Sequence, residues 1–559
     1  MKLLGTAVAL LALAGTGPVE EWIRGNAIRL DTVEAGHGFA DMQPLKKVVG
    51  DARIVALGEA THGTREFFQL KHRMLEFLAT EMGFTIFSIE ANMPEAYRVN
   101  EYVLTGKGDP RQLLKGMYFW TWNTEEVLDM ILWMREFNKS GKGHLEFTGF
   151  DMQAPTVAAE IVRDFVARND PEYVAKVKEA PLETGPGQNF GVATAKFPVQ
   201  DAAGKRVRFS GYIKTEGITR GWAGLWWRVD GAKGMLAFDN MQKRGAAGTT
   251  DWKRYEVELP VAAEATNINF GAILGGDGRA WFDGLAIEVD GKPYAHPLPT
   301  WLFTGGKGYV VGPDSSVFRS GNESLGMRFA GDAGGADPKA AAVSWREVVR
   351  HMEASRGAYE AKGATRREAA WAIQNARVVL QSMEMRSGEV SRDASMAANV
   401  QWILEQSPGA KIVLWAHNGH VAASGPGGYA PMGGFLRKVY GDQMAVFGFA
   451  FDQGSFQSVD KSKGLRDFTV PPAPGGSLDS TLAAAGIPLF ALDLRRAPKA
   501  GPVAQWLAEP HKTRSIGAVY SEGAGDSYLY DLVAPQCFDV LLFVEKTTAA
   551  RKNPGAWGG

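Results

Sequence analysis

Three histidines stand where predicted strands end, which is where a parallel sheet offers side chains to a ligand. His62 follows the apolar run 53–57, and both His417 and His420 follow the apolar run 411–415. In open α/β sheets, ligands bind in the crevice beyond the carboxyl ends of the strands. We therefore expect these imidazoles to face one water-accessible pocket.

Two carboxylates accompany the histidines. Glu59 shares the glycine-bounded loop 58–63 with His62, and Glu90 falls at the C-terminal end of the predicted strand 84–89. A carboxylate that bonds to an imidazole orients the ring and raises its basicity, which a general base near neutral pH requires. The pattern therefore indicates acid–base chemistry on a bound substrate.

Two other interpretations fit the same side chains. A histidine at a strand end can instead cap a helix or satisfy a buried carbonyl group. Glu59 and the three histidines are also ligand types that suit zinc. They lack the spacing of a helical HExxH motif, and the single cysteine, Cys537, excludes a thiolate cluster. A metal-dependent hydrolase stays open at this point.

Several common signatures are absent from the sequence. It contains no G-x-S-x-G nucleophile elbow, no Walker loop and no G-x-G-x-x-G after a strand. These absences disfavour a serine hydrolase of the α/β-hydrolase type, nucleotide hydrolysis and dinucleotide redox chemistry. The net charge of −1, from 61 basic and 62 acidic residues, gives no field that would attract nucleic acid. The reaction that the sequence still favours is hydrolysis by a water molecule that a histidine activates.

The N-terminus predicts export. In residues 1–17 one lysine precedes an apolar run that ends in a small-x-small pattern, as in a signal peptide. We therefore expect a periplasmic or secreted protein. No later stretch is apolar enough to span a bilayer, so we expect no membrane insertion after signal cleavage.

The elements around these residues predict an α/β fold. Between about 45 and 180, short β-rich runs alternate with helical patterns such as 65–82 and 124–138. Further strand candidates are 145–150, 411–415, 444–451, 515–519 and 538–545. Because such alternation is typical of parallel sheets, we expect a central sheet flanked by helices.

The pattern changes between 185 and 332 to strands separated by Gly and Asp turns. Examples are 206–214, 252–259 and 280–289. Regular spacing of this kind predicts an antiparallel, jelly-roll-like β-sandwich. The simplest architecture is one α/β domain in two segments, 18–184 and 333–559, with the sandwich domain of 185–332 inserted between them.

Several sequence blocks, found in the family's order, resemble the erythromycin esterase family. The most specific is Trp415-Ala416-His417-Asn418-Gly419-His420-Val421. The others are 57–63, 66–68, 71–73, 83–84, 90–91, 122–126, 133–135, 149–153, 392–393, 396–397 and Asn399. The resemblance implies hydrolysis of a small-molecule ester or lactone, which in the best-known, antibiotic-resistance members is a macrolide.

The resemblance also implies roles for individual residues. The matching positions make His62 the general base, oriented by Glu59 or Glu90. His417 and His420 would line the site and polarise or position the carbonyl group.

Arg73, on the helix after the His62 loop, would offer its guanidinium to the developing oxyanion. The alternative to this catalytic role is that Arg73 is a surface residue that pairs with a charge along the helix. The resemblance implies no metal and no other cofactor.

The predicted insert departs from the antibiotic-resistance members, and its segments look like those of carbohydrate-binding domains. Exposed tryptophans would stack on sugar faces, whereas core tryptophans would only fill the sandwich. The candidates are Trp222, Trp226, Trp227, Trp252 and Trp281. A glycan is therefore a candidate partner, and a carbohydrate-binding envelope protein with a non-catalytic α/β domain is the alternative function.

Overall fold

The computed structural model describes residues 17–182, 190–231, 234–296, 301–305, 308–329, 338–460, 464–523 and 525–553. The chain divides into two compact units, Met1–Ala158 with Val390–Gly559, and Ala159–Glu389. The predicted signal peptide lies outside the described residues except for Gly17, so export stays a prediction. No helix in the described ranges combines the length and the apolar character that a membrane span requires.

The first segment of the first unit alternates helices and strands. Its elements are α1 (Pro18–Asn26), β1 (Ile28–Arg29), α2 (Leu45–Val49), β2 (Ile54–Leu57), α3 (Arg65–Met82), β3 (Ile86–Asn92), α4 (Met93–Thr105), α5 (Pro110–Lys115), α6 (Glu125–Lys139) and β4 (Glu146–Asp151). The helix α3 occupies the predicted range 65–82. It ends at Gly83, whose left-handed backbone (φ 72°) suits a residue without a Cβ atom.

The helix α7 (Thr156–Asn169) crosses into the second unit, which is rich in strands. Its other elements are α8 (Val174–Glu179), β5 (Phe190–Lys196), α9 (Val199–Ala202), β6 (Arg206–Gly231), β7 (Gly234–Asp239), β8 (Ala246–Pro260), β9 (Ala265–Gly276), β10 (Arg279–Val289), β11 (Lys292–Pro293), β12 (Leu302–Gly305), β13 (Tyr309–Asp314), β14 (Ser324–Phe329), α10 (Pro338–Ala354), α11 (Arg356–Ala361) and α12 (Arg366–Ser387).

The second segment of the first unit completes its sheet. Its elements are α13 (Arg392–Gln406), β15 (Ile412–Trp415), α14 (Asn418–Val421), α15 (Met432–Tyr440), β16 (Met444–Asp460), β17 (Gly464–Val470), α16 (Leu478–Ala483), β18 (Leu489–Asp493), α17 (Pro502–Ala508), β19 (His511–Arg514), β20 (Leu529–Leu532), α18 (Ala534–Cys537) and β21 (Val540–Thr547).

The main sheet of the first unit confirms the predicted α/β class. Its described strands follow the order β1-β18-β21-β16-β2-β15-β3-β4, with β17 beside β16. The strands from β21 to β4 in that order run parallel, and β18 and β1 close the other side in antiparallel pairs. Parallel strands joined by helical segments are the expected outcome of the alternating pattern.

The register of three central strands brings distant loops together. Trp415 at the end of β15 lies level with Leu57 of β2 and with Ile89 of β3. Because parallel strands leave the sheet at one edge, the segments that follow these residues emerge side by side. These segments carry Glu59, His62, Glu90, His417 and His420.

Aromatic packing fixes the central strand at this edge. The Trp415 ring makes edge-to-face contacts with Phe68 of α3 and Trp122, at centroid distances of 4.8 and 5.4 Å. Contacts of this kind contribute about 0.5–1.5 kcal/mol beyond the apolar area they bury. The indole of Trp415 is thereby held in one orientation beneath the site.

The second unit contains a ten-stranded sheet in which every described pair is antiparallel. Its strands lie within 190–329, and the long strand β6 pairs with β8 and β10 along one half and with β7 and β9 along the other. The exact limits of an inserted domain, 185–332, and its jelly-roll character stay predictions.

The five tryptophans of the predicted insert have different environments. Trp227 belongs to the apolar core of this unit, and Trp281 is buried while its indole nitrogen donates to Asp314 Oδ2 at 2.8 Å. Trp222, Trp226 and Trp252 are half-buried. Glycan binding by this unit stays a prediction.

Two strand predictions need correction. The strand predicted at 84–89 spans Ile86–Asn92, so it begins and ends later than predicted, and Glu90 lies near its carboxyl end as expected. The segment 515–519 is not a strand but makes two isolated bridges, one of them from Ile516 to Thr61. Single bridges form there because the segment runs beside the His62 loop and beside the end of β16, not beside a strand over its whole length.

Candidate active site

The buried carboxylate of Glu59 organises the loop that follows β2. Its Oε1 lies 2.7 Å from His62 Nδ1, and its Oε2 accepts hydrogen bonds from Lys71 Nζ at 2.5 Å and from Trp415 Nε1 at 2.7 Å. Burial raises the pKa of Glu59, but Lys71 and His62 together lower it by more than burial raises it. The net shift of the pKa is therefore downward. Glu59 is therefore ionised, and its lone pairs fix the His62 ring.

Lys71 is a site residue to which the sequence analysis gave no role. Its side chain is fully buried, with Nζ 4.3 Å from the centre of the Trp415 ring and 5.3 Å from that of Phe449. Burial lowers the pKa of Lys71 to about 8, although Glu59 opposes the shift. A lysine on the otherwise apolar face of α3, one turn beyond Phe67 and Phe68, was the available signal.

His62 and His417 face each other with ring centres 5.0 Å apart. The Nδ1 atom of His417 accepts the backbone N–H of Gly419 at 3.2 Å, so a neutral His417 carries its proton on Nε2. Burial lowers the pKa of His417 to about 3, which keeps the ring neutral at physiological pH. Its Nε2 is buried and has no hydrogen-bond partner in the described part of the chain.

The tautomer of His62 is the opposite one. Because ionised Glu59 can only accept, the proton of His62 lies on Nδ1 and the lone pair on Nε2. That lone pair has no partner among the described residues, and the side chain of His62 is 12% exposed. The two rings, whose centres are 5.0 Å apart, thus carry one unpaired acceptor and one unpaired donor among the described residues.

His420 belongs to a neighbouring network. Its Nδ1 lies 2.9 Å from Asp393 Oδ1, and Arg392 Nη1 lies 3.0 Å from its Nε2. Asp393 also accepts from the Tyr429 hydroxyl and from the backbone of Met432. Burial lowers the pKa of His420, but the carboxylates nearby raise it more, so it lies above its ordinary value.

Glu90 connects this network to the His417 loop. Its Oε1 accepts from Arg392 Nη2 at 2.7 Å, and its Oε2 accepts the backbone N–H of His417 at 3.0 Å. Asp151 holds the other side of the same guanidinium through contacts of 2.7 and 3.2 Å. Burial raises the pKa of Glu90, but His420 and Arg392 lower it well below its usual range. Glu90 is therefore an ionised anchor for the loop.

Arg73 is not part of this cluster. Its guanidinium forms a two-pronged ion pair with Asp41, at 2.6 and 2.8 Å, and donates to the carbonyl oxygens of Thr32 and Gly38. Residues two apart on a helix point about 200° apart, so when Lys71 faces the site Arg73 faces away from it. The geometry gives no support to the predicted role of Arg73 as an oxyanion donor.

Replacing Arg73 by methionine is expected to affect stability and not chemistry. The change leaves the half-buried Asp41 without its guanidinium partner but with the N–H of Asp31, which costs about 1.5–3 kcal/mol, as for a hydrogen bond to a charged group. Denaturant unfolding should show that loss, while kcat for an ester substrate stays within about twofold at a temperature where the variant is folded. A large fall in kcat of the folded variant would show that Arg73 does take part in the reaction.

Of the predicted site residues, five converge and one does not. Glu59, Glu90 and the three histidines lie within one network, as predicted. Within the described residues, no group of three or more His, Cys, Asp or Glu side chains is arranged to hold a metal ion.

The sequence model of the erythromycin esterase family matches residues 79–207 and 319–547, more than half of the chain. The chain belongs to the erythromycin esterase family. The matched ranges include Glu90, Arg392, His417 and His420, whereas the Glu59–His62 loop precedes them.

Individual relatives and solved structures are similar to parts of this chain or to its fold. The erythromycin esterase type II of Escherichia coli is 34% identical over 170 residues, which cover 29% of this chain and 39% of that protein. A solved structure of a Bacillus cereus protein has a TM-score of 0.62 at 19% identity and covers 96% of this chain and 98% of its own. A mutant of the erythromycin esterase EreC in its open conformation has a TM-score of 0.52 at 13% identity. The match covers 93% of this chain and 96% of the mutant's chain. The two structures share the fold.

Proposed function

We propose that this protein hydrolyses a carboxylic ester or lactone with a water molecule that His62 activates. The observation that carries the proposal is the pair of unused nitrogen atoms on His62 and His417, one an acceptor and the other a donor, on rings 5.0 Å apart. Membership of the erythromycin esterase family supports a hydrolase of the macrolide-esterase type.

The reaction follows from the two tautomers. Nε2 of His62 accepts a proton from water, and the resulting hydroxide attacks the carbonyl carbon of the ester. The carbonyl oxygen gains negative charge, which the N–H of His417 stabilises by a hydrogen bond. The tetrahedral intermediate then breaks its bond to the alcohol oxygen, and His62 returns the proton to that oxygen. The products are a carboxylic acid and an alcohol.

The remaining charged residues position these two rings. Glu59 holds the tautomer of His62 and stabilises the imidazolium that forms during the reaction. Glu90 and Arg392 hold the His417 backbone, and Asp393 fixes the orientation of His420. His420, whose side chain is 20% exposed, would position the substrate.

A hydrolysis screen by mass spectrometry tests the proposal. Macrolides, simple lactones, activated esters and acylated glycans are incubated with the purified protein in water labelled with heavy oxygen. We expect at least one substrate to gain one labelled water, with the label in the carboxylic acid. Glycan binding without hydrolysis of any substrate would favour the carbohydrate-binding alternative, and loss of activity with a chelator would favour a metal-dependent hydrolase.

A further inference from the structure

The first unit contains an apolar cavity of about 260 Å³. Most of its wall is hydrocarbon, and several of the wall residues are small, aliphatic or aromatic. These include Ala422, Phe449, Ala450, Leu478, Leu532 and Leu541. The cavity is partly open to solvent, and its apolar lining favours an apolar ligand over water.

One wall of the cavity is the loop between two site histidines. Asn418 and Gly419, which line the cavity, directly follow His417 and precede His420. Tyr429, also in the lining, donates its hydroxyl hydrogen to Asp393, the carboxylate that fixes His420. The cavity therefore shares residues with the hydrogen-bond network of the site.

A second wall adjoins the loop of His62. Ser515 lines the cavity and directly precedes Ile516, whose N–H donates to the carbonyl of Ala60 at 2.7 Å. Ile516 also bridges to Thr61, the residue before His62. The cavity thus borders both loops that carry the proposed chemistry.

The polar atoms in the lining are largely committed elsewhere. The guanidinium of Arg514 donates to the carbonyl oxygens of Asp452 and Pro471, and the hydroxyl of Thr513 donates to Asp479. Asp531, another lining residue, is exposed to solvent. An apolar ligand group therefore fits this space better than a polar one.

We propose that this cavity binds the hydrocarbon part of the ester that the site hydrolyses, a chain or ring of up to about ten carbon atoms. The estimate follows from benzene, which fills an apolar cavity of about 150 Å³. This inference rests on the proposed hydrolase function and names a compact, apolar acyl or alkyl ester as the substrate class.

Chain-length series of esters test the inference. The acyl group is varied in para-nitrophenyl esters from acetate to dodecanoate, and the alcohol is varied in alkyl acetates from methyl to decyl. Each buried methylene contributes about 0.8 kcal/mol, so kcat/KM should rise about fourfold per methylene in the series that enters the cavity, and level off near ten carbons. The series that shows this rise identifies the side of the ester that the cavity holds.

Variants of the cavity wall link that rise to the cavity. Ala422→Leu adds three carbon atoms to the wall and should lower the ratio of octanoate to acetate kcat/KM, or of octyl to methyl, by at least about tenfold. Leu532→Ala enlarges the cavity at a half-buried position and should move the optimum to longer chains. Ala508→Leu makes the same change as the first variant at an exposed position of α17 and should leave the ratio unchanged.

Two failures remain distinguishable. If no ester in either series is hydrolysed, the proposed function falls, and this inference falls with it. If esters are hydrolysed but neither Ala422→Leu nor Leu532→Ala alters the dependence on chain length, the hydrolase stands and the cavity is not its substrate pocket. Should Ala422→Leu fail to fold, the optimum of Leu532→Ala decides between these results.

Discussion

Replacing His62 by alanine is expected to lower kcat/KM for ester hydrolysis by about 10²- to 10⁴-fold, which is the usual contribution of a general base. The variant keeps Glu59, Lys71 and His417, so the site loses the atom that accepts the water proton and little else. Steady-state kinetics on a para-nitrophenyl ester measures the effect. A variant that retains most of its activity would show that another group activates the water.

The stability of this variant separates a catalytic effect from a folding effect. After the substitution, Glu59 still accepts hydrogen bonds from Lys71 and Trp415, so its charge is not left unpaired. We expect the free energy of unfolding to fall by at most about 3 kcal/mol, the upper range for a hydrogen bond to a charged group. His144→Ala is the matched control, because this histidine is 60% exposed and lies 3.5 Å from Glu146, away from the site, and it should change neither quantity.

The convergence of the two histidine loops was predictable from the sequence. Apolar runs at 53–57 and 411–415 fixed two parallel strands, and side chains after such strands meet at one edge of the sheet. Strand order was not needed for that inference. In the fold, β2 and β15 turn out to be direct neighbours, with Trp415 opposite Leu57.

The partners of the histidines were less predictable. Lys71, Asp151 and Arg392 belong to blocks that resemble the family. Their spacing in the sequence does not show which charged side chain each of them contacts. At Arg73 the helical phase held the information, since Lys71 and not Arg73 shares the apolar face of α3 with Phe67 and Phe68. Burial of a lysine opposite a carboxylate depends on long-range packing, which local sequence patterns do not contain.

The cavity beside the site was also beyond sequence reasoning. Its walls come from separated parts of the chain, including Ala422, Leu478 and Leu541. Each of these residues is an ordinary core residue in its own segment. Only their relative placement leaves a space between them, and that placement depends on the order of strands β16 and β21 in the sheet.

Lys71→Met is expected to produce the second large effect, because it removes the cation that neutralises Glu59 in a fully buried position. Breaking a buried ion pair on one side costs about 3–5 kcal/mol, since the remaining charge has neither water nor a counter-ion. The pKa of Glu59 should rise, because Lys71 is the largest influence that opposes the effect of burial. Protonated Glu59 orients His62 less well, so kcat should fall together with the free energy of unfolding.

A double variant separates these two consequences. Adding Glu59→Gln to Lys71→Met removes both charges, so most of the lost stability should return, as it does when both members of a buried pair become neutral. Activity should not return, because the neutral amide does not stabilise the His62 imidazolium that forms when water is deprotonated. The cycle comprises the unmodified protein, Lys71→Met, Glu59→Gln and the double variant. Urea unfolding measures the stability of each of these four proteins, and steady-state kinetics measures its activity. Recovery of activity along with stability would mean that Glu59 only fills space beneath His62, and that the basicity of the ring arises elsewhere.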